Sequence, residues 1–255
     1  MIRSKPLARN FVRALENAEG KSSKNVVVDK TVHEIKGDAL REIDLEKKWT
    51  GYGLVNLKDM IQELGEGRTK EILSEFSCPL NKDVEFFLHC KAIEFARQGI
   101  AQTQLVATSY KDKPVLVGYF TLSNKVLEIP RKNISKNVAK KVNRFAMARD
   151  ARRSMTDNYM ISAPLIGQLG KNFANGYDNL IPGDVLLKLA TDKVRAIQAV
   201  LGGKFVYLEC EDKDALLNFY GDNGFVIFGK RDLDRDERDR QSGQYLVQLL
   251  KYLGD

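Results

Sequence analysis

Between residues 159 and 228 the chain switches hydrophobic period repeatedly, and that switching narrows the folds open to it. Residues 159–169 form an apolar run bounded by turn residues, the pattern of a buried strand. A polar loop containing Asn175-Gly176 follows. Pro182-Gly183-Asp184 then opens a helix to about Leu201, with Val185, Leu186, Leu189, Ala190 and Val194 on its core face and Gly202-Gly203 as its stop. Residues 204–209 read as a strand, 213–220 as a short helix, Asp222-Asn223-Gly224 as a turn and 225–228 as a last strand. Strand, loop, helix, strand, helix, strand implies an α/β fold with a mixed, partly parallel central sheet flanked by helices.

Upstream, Leu57, Met60, Ile61 and Leu64 keep helical spacing, with Gly65 as a stop, and 70–76 is a second short helix. Residues 83–98 predict one helix with Val84, Phe87, Leu88, Ala92, Phe95 and Ala96 on one face, closed by Gly99. Two strands at 103–109 and 114–123 are joined by a turn at 110–113. After the last strand, 231–240 alternates in charge and reads as an exposed loop, and 245–253 as an amphipathic C-terminal helix. Residues 1–52 lack a clear apolar period. Within them 20–25 reads as a linker, Val26-Val27-Val28 as a short strand and 37–48 as a charged, weakly helical run. The expected organisation is an N-terminal extension over 1–52 and a domain over 53–255.

The net charge of +7 is concentrated in one place. Residues 131–153 hold nine Lys/Arg and one acid, Asp150, so the rest of the chain is close to neutral. Ile134, Val138, Val142 and Phe145 recur there at helical spacing, while Lys136, Lys140, Lys141 and Arg144 fall largely elsewhere. This predicts an amphipathic helix with one cationic face, suited either to an anionic partner or merely to solvent. No apolar run approaches the roughly 20 residues that cross a bilayer. Cys78, Cys90 and Cys210 are scattered and odd in number, as expected in a reducing cytoplasm.

Several chemical motifs are absent or incomplete. Glu19-Gly20-Lys21-Ser22 imitates the end of a phosphate loop, but Leu15 stands where its first glycine belongs and no strand precedes it. His33 and His89 are the only histidines and lack the paired spacing of a zinc hydrolase, so no metal is expected. His89-Cys90 is expected to be a packed pair. The helix start at Gly183 is more informative, because its first N–H groups have no helical acceptor and favour a negative group. A plain helix cap fits equally.

Taken in order, these pieces resemble the GCN5-related N-acetyltransferase (GNAT) family, in particular its short, toxin-like bacterial branch. The resemblance rests on Phe76-Ser77-Cys78 followed by Val84-Glu85-Phe86-Phe87-Leu88, then Val117-Gly118-Tyr119-Phe120-Thr121-Leu122. It continues through residues 165–170 and Leu186-Leu187 to Asn218-Phe219-Tyr220 with Asn223-Gly224-Phe225. It covers about residues 54–231. It implies an acetyl-CoA-dependent N-acetyltransferase in which the strand over 159–169 splays from its parallel neighbour. Gln168, Leu169 and Gly170 would line the pantetheine arm of acetyl-CoA. The pyrophosphate would rest at Ile181, Gly183, Asp184 and Val185, and Asn218 is also implied in cofactor binding. The family's loop, Gln/Arg-x-x-Gly-x-Gly/Ala, falls on residues 178–183 and is largely lost: Asp178 and Ile181 replace its first residue and middle glycine, and Pro182 lacks an N–H. Lys171 or Lys188 would restore positive charge.

Direct acyl transfer requires a neutral amine, a base for its proton and an acid for the departing thiolate. The resemblance gives Tyr220 the role of acid. Glu209 and Glu211, at the end of the strand flanking the cleft, are the candidate bases, and surface carboxylates are their alternative reading. The acceptor is a primary amine, and aminoacyl-tRNA suits the cationic face of Lys136, Lys140, Lys141 and Arg144. A protein N-terminus or lysine is also open. The competing expectation is a nucleic-acid-binding or regulatory protein on a degenerate acetyltransferase scaffold, favoured by the altered loop and opposed by Tyr220.

Overall fold

The structure is a computed structural model that describes residues 51–146, 158–235, 237–240 and 243–254. The linker, strand and weak helix expected within 1–50, the Glu19–Ser22 motif, His33 and the cations at 149, 152 and 153 lie outside the described residues. Among the described residues, seven strands follow the order β1-β2-β3-β4-β5-β7-β6, with β4 and β5 parallel and the β1/β2, β5/β7 and β6/β7 pairs antiparallel. This is the mixed, partly parallel sheet that the alternation predicts. The chain divides into two units, which β3, β4 and one helix each enter in turn.

The first unit holds the described residues 51–120 with Leu169–Leu186. Strand β1 (Gly53–Asn56) leads into α1 (Leu57–Ser74), where the Asn56 side chain caps the N-terminus by accepting from Lys58 N. Gly65 breaks α1 at φ 77°, ψ 166°, so the stop expected there is a kink between two helical stretches. The single helix expected over 83–98 is three pieces: α2 (Lys82–Phe86), a π-helical turn (Phe87–Lys91) and α3 (Ala92–Gln98). Its apolar face is as expected, and Gly99 closes α3 at φ 74°.

Strands β2 (Gln102–Tyr110) and β3 (Lys113–Pro130) join through Lys111 and Asp112, both at positive φ, as a twist-matched two-residue hairpin requires. The core gathers Leu57, Met60, Phe76, Leu88, Leu105 and Tyr119. Each such side chain contributes roughly 1.5–3 kcal/mol on burial. Tyr119 stacks edge-on to Phe76 and donates its hydroxyl to Val84 O, so its one polar atom is satisfied.

The second unit holds the described residues between Thr121 and Gln168 and from Leu187 onward. It contains the rest of β3, a 3-10 turn (Arg131–Asn133), α4 (Lys136–Asn143), most of β4 (Asn158–Lys171) and most of α5 (Gly183–Leu201). β5 (Phe205–Glu211), α6 (Asp214–Asp222), β6 (Val226–Asp232) and β7 (Tyr245–Tyr252) complete it. Against the expectation of a strand buried on both faces, β4 alternates: Tyr159, Ile161 and Ala163 are buried while Met160 and Ser162 are exposed.

The helix expected over 245–253 is instead strand β7. Its apolar residues at 246, 249, 250 and 253 mimic helical spacing because β7 lies between β5 and β6 with both faces covered, so both parities are apolar. Likewise Arg231 and Asp232, expected in a loop, finish β6. A bulge separates Ile227 from Gly229, so Phe228 is the extra residue in the β6/β7 ladder.

Pairing fixes which side chains share a face of this sheet. Phe205 and Tyr207 on β5 oppose Tyr252 and Leu250 on β7, and they pack with Ile161, Ala163, Val142 and Ala146 under α4. Residues of the other parity, Leu208 and Cys210 opposite Leu249 and Val247, face the α6 side. Lys251 on β7 shares that parity, and its Nζ donates to Asn223 O at the end of α6.

Candidate active site

Within the second unit the parallel β4/β5 ladder has two residue pairs, Leu165↔Tyr207 and Ile166↔Leu208. Gly167 and Gln168 on β4, and Glu209 and Cys210 on β5, continue beyond it, while β5 stays paired to β7 along its whole length. Gly167 is exposed and Gln168 half-buried.

Helix α6 presents Tyr220 to the same sheet face as Cys210. The ring lies edge-on between Phe219 (5.0 Å) and Phe225 (5.9 Å), and the residue is buried. Among the described residues its hydroxyl has no hydrogen-bond partner. Burial, and secondarily the Cys210 thiol nearby, push the phenol's pKa well above its usual range, so it keeps its proton throughout the physiological range. The Asn223-Gly224-Phe225 motif stops the helix: Gly224 sits at φ 78°, and Phe225 N donates to Tyr220 O. The motif thus fixes Tyr220 where α6 ends. Asn218 is exposed on the same helix.

Both candidate bases have the opposite parity from Cys210. Glu209 accepts from Arg231 Nε at 2.8 Å and from Gln248 Nε2 at 2.8 Å, so both carboxylate oxygens are engaged. Arg231 is also held bidentately by Glu237 (2.9 Å on each arm), and the two carboxylates raise its pKa further. Glu211 is buried and accepts from Lys213 Nζ at 2.6 Å. The structure therefore groups Gln168, Asn218, Tyr220, Glu209 and Glu211 in one unit, with the Tyr220 phenol on one sheet face and the two carboxylates on the other.

The other expected cofactor residues belong to the first unit. Gly170 is buried, and a Cβ there would lie 2.4 Å from Val84 Cγ1. At Gly118 a Cβ would lie 2.8 Å from Gly170 O. These two glycines of the family pattern are set by close packing rather than by a turn. Leu169 is half-buried. At the start of α5, Leu186 N makes a helical bond to Pro182 O, leaving Gly183, Asp184 and Val185 ahead of it. Ile181 is buried, Gly183 and Val185 are half-buried, and Asp184 is exposed.

The preceding loop is pinned at several points. Asn172 donates to Leu116 O and accepts from Ser77 N and Ala174 N, Tyr177 packs on Tyr110, and the Tyr52 hydroxyl donates to Leu180 O at 2.7 Å. Burial, and then the nearby Asp184 carboxylate, raise the Tyr52 pKa. Lys171 is half-buried in this unit. Lys188, in the second unit, is already ion-paired with Asp192.

In the second unit, the cationic face on α4 is present. Ser135 caps the helix, and Lys136, Lys140, Lys141 and Arg144 are all exposed. Lys141 Nζ lies 4.4 Å from the Tyr252 ring centroid. In the first unit, His89 and Cys90 do not form the expected packed pair: a His89 ring nitrogen lies 2.9 Å from Phe76 O, and Cys90 is exposed. Among the described residues no group of three His, Cys, Asp or Glu is placed to hold a metal ion, and no helix is long and apolar enough to cross a membrane.

The sequence reading missed Tyr52, Asp212, Lys230 and Tyr245. A period-2 reading of 245–252 would have placed Tyr245 and Val247 on one face, and Asp212 follows directly on the strand carrying the expected bases.

No protein-family model and no curated protein matches the chain. Solved structures do. A tyrosine-to-phenylalanine mutant of KacT is 15% identical with a TM-score of 0.50, covering 77% of this chain and 93% of its own. AtaT complexed with acetyl-methionyl-tRNAfMet is 14% identical with a TM-score of 0.49, covering 77% and 93%. AtaTR bound with AcCoA is 14% identical with a TM-score of 0.42, covering 71% and 85%. The likeness to KacT concerns the fold, and in fold this chain is of the GNAT type: a mixed, partly parallel sheet flanked by helices.

Proposed function

We propose that this chain is an acetyl-CoA-dependent N-acetyltransferase that moves the acetyl group to a primary amine by direct attack. The observation that carries the proposal is Tyr220: a protonated, buried phenol without a hydrogen-bond partner among the described residues, on the helix after β5 in a GNAT-type fold. In the reaction the neutral amine adds to the thioester carbonyl, the C–S bond breaks, and Tyr220 gives its proton to the departing sulfur. Glu209 or Glu211 takes the proton from the amine.

Gln168, Leu169 and Gly170 are assigned to the pantetheine arm, with Asn218 also on the cofactor. Ile181, Gly183, Asp184 and Val185 are assigned to the diphosphate, which their backbone N–H groups suit. Holding both reactants together supplies much of the remaining acceleration. Aminoacyl-tRNA is the acceptor class that the exposed cations of α4 fit. Reversing Lys140, Lys141 and Arg144 to Glu is expected to weaken acceptor use and flatten its salt dependence by about 0.9 per lost phosphate contact. Unchanged turnover and salt slope would leave that helix face solvated only. The setting proposed is the cytoplasm.

A second reading, a nucleic-acid-binding or regulatory protein on a degenerate acetyltransferase scaffold, draws on Asp184 at the helix start, where a phosphate would otherwise sit. Thermal unfolding separates the two. Acetyl-CoA at a hundred times its dissociation constant stabilises a binding protein by about 2.7 kcal/mol. No stabilisation leaves the second reading alone.

A further inference from the structure

Asp212, Lys230 and Tyr245 form a cluster on the sheet face shared with Cys210 and Tyr220. Lys230 on β6 opposes Val247, which opposes Cys210 across β7, so the three share a parity. The Tyr245 hydroxyl donates to Asp212 Oδ2 at 2.6 Å, and Lys230 Nζ donates to the Tyr245 hydroxyl at 2.7 Å and to Asp212 Oδ2 at 3.2 Å. The same ammonium lies 3.8 Å from the Tyr245 ring centroid. A carboxylate, a hydroxyl oxygen and an aromatic face are the three elements that recognise an alkylammonium ion. Here they already hold one, supplied by the protein's own lysine.

The cluster opens onto a cavity of about 280 Å³ lined by Asp212, Gly243, Gln244 and Tyr245, room enough for a small amine. Asp212 also stands at the carboxyl end of β5, where open α/β sheets place their ligands.

We propose that Asp212 and Tyr245 form the ammonium-recognition site for the acceptor, and that Lys230 occupies it until an acceptor ammonium displaces it. The proposal rests on the acetyltransferase reading and adds to it the residues that receive the amine. Lys230 is a placeholder and not a nucleophile: its hydrogen bond with Tyr245 and its contacts with Asp212 raise its pKa and keep it charged. The tyrosine hydrogen bond, with help from Lys230, likewise holds the Asp212 carboxyl below its usual range, so Asp212 is a carboxylate at neutral pH, where an alkylamine is protonated. Glu209, on the opposite parity and engaged by Arg231 and Gln248, is not open to a new cation in this way.

The test titrates n-butylammonium chloride against the full chain, following the broadening of the butylammonium proton resonances by NMR, with sodium chloride as the control for ionic strength. Lys230→Ala empties the site and is expected to bind butylammonium at least tenfold more tightly than wild type. Lys230→Met, which keeps the alkyl stem, separates loss of the charge from loss of packing and is expected to do the same. Adding Asp212→Asn to Lys230→Ala is expected to remove the gain, and Tyr245→Phe to remove part of it. Acetyl-CoA binding to wild type is measured in parallel by calorimetry. If acetyl-CoA binds but neither Lys230 variant gains affinity, or if Asp212→Asn is without effect, the recognition site is overturned alone. If butylammonium binds as expected but acetyl-CoA does not, its role as an acceptor site falls together with the acetyltransferase reading.

Discussion

The end of α6 and the start of α5 treat their family patterns in opposite ways. At α6 the pattern survives letter for letter, and its residues divide the work between them. Phe219 and Phe225 flank the Tyr220 ring, and Gly224 supplies the positive φ that ends the helix. At α5 the glycine-rich loop is gone, replaced by Asp178, Ile181 and Pro182, yet a helix still starts at Gly183. The contrast separates two kinds of requirement. The proton donor proposed at Tyr220 is a side chain and has few substitutes. A phosphate seat made of backbone N–H groups tolerates many sequences, provided something else holds the loop, and Asn172, Tyr177 and Tyr52 do so here.

The sharpest way to break this contrast is Tyr220→Phe. The ring packing stays, so stability is expected to hold while kcat for CoA thiol release drops by about 10²-fold or more. An active, fully folded phenylalanine variant would reduce Tyr220 to a packing residue.

Next in size is the alkaline limit beside it. Burial, with Asp212 and Glu211, pushes the Cys210 thiol up to about 11 from its usual 9. A raised folded-state pKa favours the neutral thiol, so this contribution is whole below about pH 9 and is lost as pH climbs through about 11. Two units correspond to at most about 2.7 kcal/mol. Urea unfolding of Cys210→Ala and wild type at pH 8 and pH 11 should show the gap between them shift in the variant's favour by up to that amount. A constant gap refutes it.

On the other side of the comparison, Gly170→Ala is expected to cost about 1–3 kcal/mol through the clash with Val84. Adding Val84→Ala should recover part of that, and strictly additive costs in a double-mutant cycle would show that the clash is relieved some other way. The smallest effect is Asp184→Asn. Removing a carboxylate from the first turn of α5 is worth about 0.3–1 kcal/mol to an incoming phosphate, so acetyl-CoA affinity should rise by roughly two- to fivefold. Weaker binding would mean that Asp184 serves the loop rather than opposing the ligand.

Much of the architecture was legible because period and punctuation agree. Gly99 marks a stop, Asp222-Asn223-Gly224 a turn, and Lys111 with Asp112 a two-residue turn, while the stop read at Gly65 is a kink. Strand β7 was illegible for a definite reason: covered on both faces, it loses the alternation that identifies a strand. That error hid Tyr245, and with it the pairing that places Lys230 and Asp212 together. The π-helical turn over Phe87–Lys91 leaves no compositional trace, since it keeps the apolar face almost intact. The Glu209–Arg231 pair joins residues 22 positions apart on strands that are not neighbours, which charge counting along the chain does not reveal.

The bulge at Phe228 has a consequence for how this chain evolves. Lys230 and Arg231 are consecutive on a strand, so one cation goes to the Tyr245 phenol on one face and the other to glutamates on the opposite face. Phe228 lies outside the ladder, so deleting it would leave Lys230 opposite Val247 and Arg231 opposite Leu246, with both destinations kept. A one-codon loss there is silent for both ionic clusters, whereas drawing Phe228 into the ladder would shift the rest of β6 by one and exchange the two destinations together.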